Sequence, residues 1–154
     1  MSANTALFVP NLYYETSFQF AIMTFFNSEV VSMTNNPQHC ESITEFLERL
    51  SCDSESVEFD HTIAVIDSHY SFAPCAFENG EQKNEAGTNL SSCKILAFAK
   101  IHGLSPNETL NCFGRYYRKD VLQNPDGIDH ANIRNFIKYG WQGVSFSQPP
   151  LSEK

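Results

Sequence analysis

Positive charge is scarce in this chain: 10 Lys and Arg stand against 18 Asp and Glu, for a net charge of −8 and a pI near 5.0. That balance argues against nonspecific binding to nucleic acid or to anionic membranes. The first basic residue is Arg49, so a secretory signal with a charged n-region is not expected. Long hydrophobic runs are missing too. The most apolar stretch, Phe18 to Phe26, sits between Glu15 and Glu29, with 13 uncharged residues separating those two acids. A bilayer span needs about 20, so stable membrane insertion is not expected. The five cysteines (Cys40, Cys52, Cys75, Cys93, Cys112) are odd in number and share no CxxC spacing. This leaves a zinc ribbon or a thioredoxin-like motif unsupported and favours free, mostly buried thiols in a reducing cytosol.

What is present is enough to build a core. At 154 residues the length suits one domain, 42% of the chain is hydrophobic and 13% is aromatic, which excludes a collagenous, disordered or disulfide-scaffold protein. Charge is unevenly spread. Glu41 to Glu85 holds 11 acids and two bases, whereas Ala86 to Gly140 holds seven bases and four acids. The plain reading is attraction between the two halves; the sharper one is an anion site on the basic half. No RNP-like, GxxG or Arg-rich motif accompanies the bases, so no nucleic-acid partner is expected.

Helix signals begin near Cys40. Ser42-Ile43-Thr44-Glu45 is a capping box, followed by Ile43, Phe46, Leu47 and Leu50 on one face. A second helix is predicted from about Ser56, with Phe59, Ile63, Ile66 and Tyr70 at helical spacing. Ser71 to Leu90 is irregular, and Asn79-Gly80 reads as the two-residue turn of a short hairpin. Ser91 or Ser92 is predicted to cap a third helix that Gly103 ends. Ser105-Pro106-Asn107-Glu108 opens a fourth, with N-cap Ser, Pro at the first position and Glu at the third. Asp129 is predicted to cap the last helix, which Gly140 closes. The expectation is a mainly α fold: a single small domain of about five helices with one irregular loop or short hairpin at about 71–90. Residues 40–146 form the domain and 147–154 a tail. Residues 1–39 form an extension, read either as a secretion segment or as translated upstream sequence preceding a start at Met33.

The chain resembles the HopJ type III effector family from about Leu47 to Val144. The resemblance is carried by Ile66-Asp67-Ser68-His69-Tyr70, Phe77-Glu78-Asn79-Gly80, Asn84-Glu85-Ala86-Gly87-Thr88-Asn89 and Ser92-Cys93-Lys94. It continues through Cys112-Phe113-Gly114-Arg115-Tyr116-Tyr117, Asp120-Val121, Asp129-His130-Ala131-Asn132-Ile133-Arg134 and Gly140-Trp141. One departure is Ser91, where the family often has Gly. The resemblance implies export through a type III secretion system into a host cell, and it names no reaction.

Two clusters pair a carboxylate with an imidazole: Asp67-Ser68-His69-Tyr70 and Asp129-His130. A carboxylate-oriented His serves as a general base or a metal ligand, so His69, Tyr70, Asp129 and His130 are the candidate catalytic residues. Two imidazoles with a carboxylate also suit an iron or zinc site, although the spacing matches no metal motif and the cofactor is left unknown. Asn79, Asn84, Asn89, Ser92 and Lys94 make a polar series ending at a helix start, where N–H groups hold carboxylate or phosphate. With Arg134 as a second cation, Asn79, Asn89, Ser92, Lys94 and Arg134 are the candidate ligand-binding residues. Two readings follow. One is an intracellular, cytoplasmic small-molecule-binding or enzymatic domain with a polar His/Asp/Arg/Lys pocket for a small anionic ligand. The other is a secreted module acting on a host protein through its surface, without catalysis.

Overall fold

The computed structural model describes residues 41–154; the predicted extension over 1–39, its apolar run and Cys40 lie outside the described residues. Helix α1 spans Ile43–Cys52 and α2 Phe59–His69, joined through a 3₁₀ turn at Ser54–Ser56. Strands β1 (Tyr70–Phe72), β2 (Phe77–Asn79) and β3 (Gln82–Asn84) lead into α3 (Leu90–Ile101) and α4 (Pro106–Asn111). A π-helical stretch at Tyr116–Val121 precedes α5 (Ala131–Tyr139), a 3₁₀ turn at Gly140–Gly143, and strands β4 (Val144–Phe146) and β5 (Leu151–Glu153).

The mainly α expectation is therefore corrected: among the described residues five helices are accompanied by five strands in two antiparallel sheets, so the fold is α+β. One sheet pairs β1 with β5, Tyr70 opposite Glu153 and Phe72 opposite Leu151. The other has the order β3-β2-β4, with Phe77 opposite both Asn84 and Phe146. Each strand is three residues long, too short for an alternating pattern to register against the usual four to eight residues or so. The hairpin is present, but its two-residue turn is Gly80-Glu81, because Asn79 pairs with Gln82 and turns its amide into the interior.

Both predicted capping boxes form. Ser42 accepts from the Glu45 N–H while the Glu45 carboxylate accepts from the Ser42 N–H, and Ser105 and Glu108 do the same at α4. The Ser105 hydroxyl holds the Glu108 carboxyl below its ordinary range. Such caps are worth about 1 kcal/mol each.

The core gathers around α3. Cys93 and the run from Ile95 to Ala99 are all buried, so this helix is enclosed rather than amphipathic, as a helix apolar on most sides must be. Phe46, Phe77, Phe98, Phe113 and Phe136, drawn from α1, β2, α3, the segment after α4, and α5, are the largest buried side chains. Phe98 meets Phe46 and Tyr70 edge-on at 5.8 and 6.0 Å, a favoured aromatic geometry. Cys75, Cys93 and Cys112 are buried free thiols and Cys52 is an exposed one. Burial pushes Cys93 and Cys112 up to about 12.

Acidic and basic halves meet through Lys94–Asp67 (2.6 Å), Arg118–Glu58 (2.9 Å) and Lys138–Glu81 (3.2 Å). Gly114 sets the approach of the π-helical stretch to α2. Its φ is +56°, and a Cβ there would fall 2.5 Å from the Phe59 nitrogen, so only glycine fits.

Tyr70 donates to or accepts from His102 Nε2 at 2.9 Å, and burial pushes the His102 imidazole below its ordinary 6.5, against a smaller upward pull from Glu153. A base held neutral by the fold binds its proton more readily when unfolded, so its stabilising contribution is complete above about pH 6.5 and is lost as pH falls. The melting temperature is expected to drop between about pH 7.5 and about pH 5.5, and less so in His102→Gln. Thermal melts across that range check this; an unchanged slope in the variant contradicts it.

Candidate functional site

Helices α3 and α5 begin in the same unusual way. The residue before each, Asn89 (φ 49°, ψ 41°) and His130 (φ 50°, ψ 43°), is left-handed. Asn and His are among the few non-glycine types enriched there, and the conformation still costs about 1–2 kcal/mol per residue. Neither side chain caps its own helix. Two predictions are thereby corrected. Asn89, not Ser91 or Ser92, is the N-cap residue of α3, and His130, not Asp129, is that of α5. Asp129 instead pairs with Arg134, Oδ1 to Nη2 at 2.7 Å, and that contact holds its carboxyl below the ordinary range.

The uncapped first turns open onto one cleft of ≈ 470 Å³. Asn89, Leu90, Ser91 and Ser92 line one side, and His130, Ala131 and Asn132 the other, over an apolar floor of Phe59, Phe113, Tyr116 and Ile133. Helix α3 has 12 residues and α5 has nine, so both carry the positive partial charge of a helix amino end. A second groove, ≈ 430 Å³, runs between α3 and the Phe146–Leu151 segment, and Lys100 is the ionisable residue of its lining.

Behind the cleft lies a buried amide network. Asn84 and Asn132 exchange reciprocal hydrogen bonds, Nδ2 to Oδ1, at 3.1 and 2.9 Å. Asn89 Nδ2 donates to Asn84 Oδ1 at 2.7 Å, which explains why its side chain turns inward instead of capping α3. Asn79 Nδ2 donates to the Asn132 carbonyl at 2.7 Å. Of these amides, Asn89 and Asn132 reach the cleft wall.

At the mouth, His130 Nε2 lies 3.3 Å from Asp120 Oδ2 and 3.8 Å from Asp129 Oδ2. Its ring leans on Tyr116, centroids 5.2 Å apart, and Tyr116 meets Phe59 edge-on at 4.8 Å. Asp120 was not among the residues the sequence singled out as functional. It comes from the π-helical stretch, ten residues before His130, and only the tertiary fold joins them.

The remaining candidates lie elsewhere. His69 Nε2 bonds the Glu41 carbonyl at 2.9 Å, and Tyr70 bonds His102. Lys94 is held by Asp67 and stands over the Phe72 ring at 5.1 Å. Arg134 spends Nε and Nη1 on the Asp129 and Pro125 carbonyls, at 2.7 and 3.2 Å, and so fastens the loop ahead of α5. The cleft thus unites Asn89, Ser92 and His130, with Asn79 behind and Asp129 beside. Among the described residues no group of three His, Cys, Asp or Glu side chains is placed to hold a metal ion.

Removing one member of the reciprocal amide pair strands its partners' buried donors and acceptors. Asn84→Ala is expected to cost about 2–4 kcal/mol in denaturant unfolding, against under about 0.5 kcal/mol for an exposed control such as Lys83→Ala. Equal effects in the two variants contradict a supporting role for the network.

A family model described as HopJ type III effector protein matches residues 43–151. The crystal structure of the unknown-function protein VPA0580 is 46% identical, covers 74% of this chain and 95% of its own, and superposes with a TM-score of 0.73. No match is found among curated proteins. No helix among the described residues is long and apolar enough to cross a membrane. With that match spanning the whole of the helix-and-sheet unit except its edges, the chain belongs to the HopJ type III effector protein family.

Proposed function

We propose that this protein binds a small anionic ligand in the cleft between the amino ends of α3 and α5. One observation carries the reading: two uncapped helix starts, each entered through a left-handed residue, line the same cavity. Backbone N–H groups and helix dipoles at such ends favour phosphate, sulfate or carboxylate. The Ser91 and Ser92 hydroxyls and the Asn89 and Asn132 residues add polar groups, while Phe59, Phe113 and Tyr116 suit the apolar body of a larger anion. His130, oriented by carboxylates, is the residue fitted to acid–base work if the bound anion reacts.

Membership in the family implies secretion through a type III system. A second reading follows from it: the domain acts on a host protein. Ile128, 97% exposed, and Leu122, 54% exposed, flank the loop ahead of His130 and offer apolar surface beside the cleft. The two readings are compatible, since a ligand site and a docking face occupy neighbouring parts of one surface.

Calorimetric titration with inorganic phosphate tests the ligand reading. Ser92→Asp places a carboxylate in the first turn of α3 and is expected to weaken binding by at least about tenfold. Lys94→Ala, outside the cleft, is expected to leave it within about twofold. Equal loss in both variants, or none in either, contradicts the assignment. For the second reading, a translocation reporter on the whole chain is expected to enter host cells only when the secretion system is intact.

A further inference from the structure

His130 differs from the other groups lining the cleft because it can change charge near neutral pH, and the carboxylates around it give that change a consequence. Asp120 lies 3.3 Å from its Nε2 and Asp129 3.8 Å. Asp129 is already neutralised by Arg134 at 2.7 Å. Among the described residues His130 is the only base that Asp120 is ion-paired with. From α2 comes Phe59, and Glu58 beside it is paired with Arg118 at 2.9 Å. From α3 come Asn89, Leu90, Ser91 and Ser92, all uncharged. Tyr116 presents its ring, and the exposed Arg115 sits 5.6 Å from the centroid of that ring.

With a neutral imidazole, the charge of Asp120, 3.3 Å from this lining residue, is uncompensated and repels an incoming anion. With an imidazolium, that charge is cancelled and both ring nitrogens become donors. We infer that anion binding in the cleft is gated by the protonation of His130, with Asp120 as the carboxylate whose charge the imidazolium cancels. The inference rests on the ligand reading above and adds its regulation: the site fills in acid and empties as pH rises.

Sulfate is the suitable probe, because its own charge is fixed across the range. Its dissociation constant, followed by titration of the full chain, is expected to rise about tenfold between about pH 5.5 and about pH 8. His130→Asn keeps a side chain that tolerates the left-handed backbone and removes the titrating ring; its sulfate affinity is expected to be level across that range. Asp120→Asn removes the charge beside His130 and is expected to bind sulfate more tightly than the native protein at about pH 8. Merely loosening the π-helical stretch would not shift the affinity in that direction. Sulfate binding that is independent of pH in the native protein overturns the gate and leaves the ligand reading standing, as does a dependence that survives unchanged in His130→Asn. Absence of sulfate binding at every pH overturns both.

Discussion

The reciprocal hydrogen bonds between the Asn84 and Asn132 amides join three parts of the chain at one polar point beside the shared apolar core. Asn84 ends the β2–β3 hairpin, Asn132 opens α5, and Asn89, which donates to Asn84, opens α3. The Asn84 and Asn132 amides are buried, so each must be satisfied by another polar group rather than by water, and Asn89 joins them from an exposed position. That demand fixes the spacing of the two helix starts. It also accounts for the left-handed backbone at Asn89: a side chain committed to the interior network cannot fold over the first turn of its own helix. The N–H groups of that turn are left without a side-chain cap. Asn79 fastens the other strand of the hairpin to the same point through the Asn132 carbonyl. The network is polar where a hydrophobic contact would have stabilised more simply, and fixing a geometry is the established use of such groups.

The sequence was most legible where structure is decided locally. The Ser42–Glu45 and Ser105–Glu108 capping boxes each lie within four residues and form as the pattern predicts. Gly140 closes α5 with a φ of 55°, again a local requirement. The strands were not legible, since three residues carry no period. Two of them, β4 and β5, lie after the last helix and pair back across more than 60 residues. The misplaced caps share one cause. Ser92 and Asp129 have the right chemistry for an N-cap, but partners five residues away in sequence decide otherwise: Asn84 draws in Asn89, and Arg134 takes Asp129.

The candidate site was legible in part for a related reason. Asn89, Ser92 and His130 were marked as polar residues at helix starts, and the two starts are what the fold brings together. His69, Tyr70 and Lys94 shared the chemistry but were drawn to partners of their own, the Glu41 carbonyl, His102 and Asp67. Asp120 lay within a family motif yet gave no functional signal, because a π-helical stretch shifts the residues that share a face and defeats a count by three or four. The charge asymmetry follows its plain reading: Lys94, Arg118 and Lys138 answer acids of the first half.

The central claim is that two helix starts, held together by buried asparagines, act as one anion-binding surface. Amide chemical shifts of the isotope-labelled chain, followed as inorganic phosphate is added, test it directly. The account predicts that the backbone signals of Leu90, Ser91 and Ser92 and those of Ala131 and Asn132 move together along a single saturating curve. Movement at only one helix, or at neither while scattered surface amides respond, would contradict it.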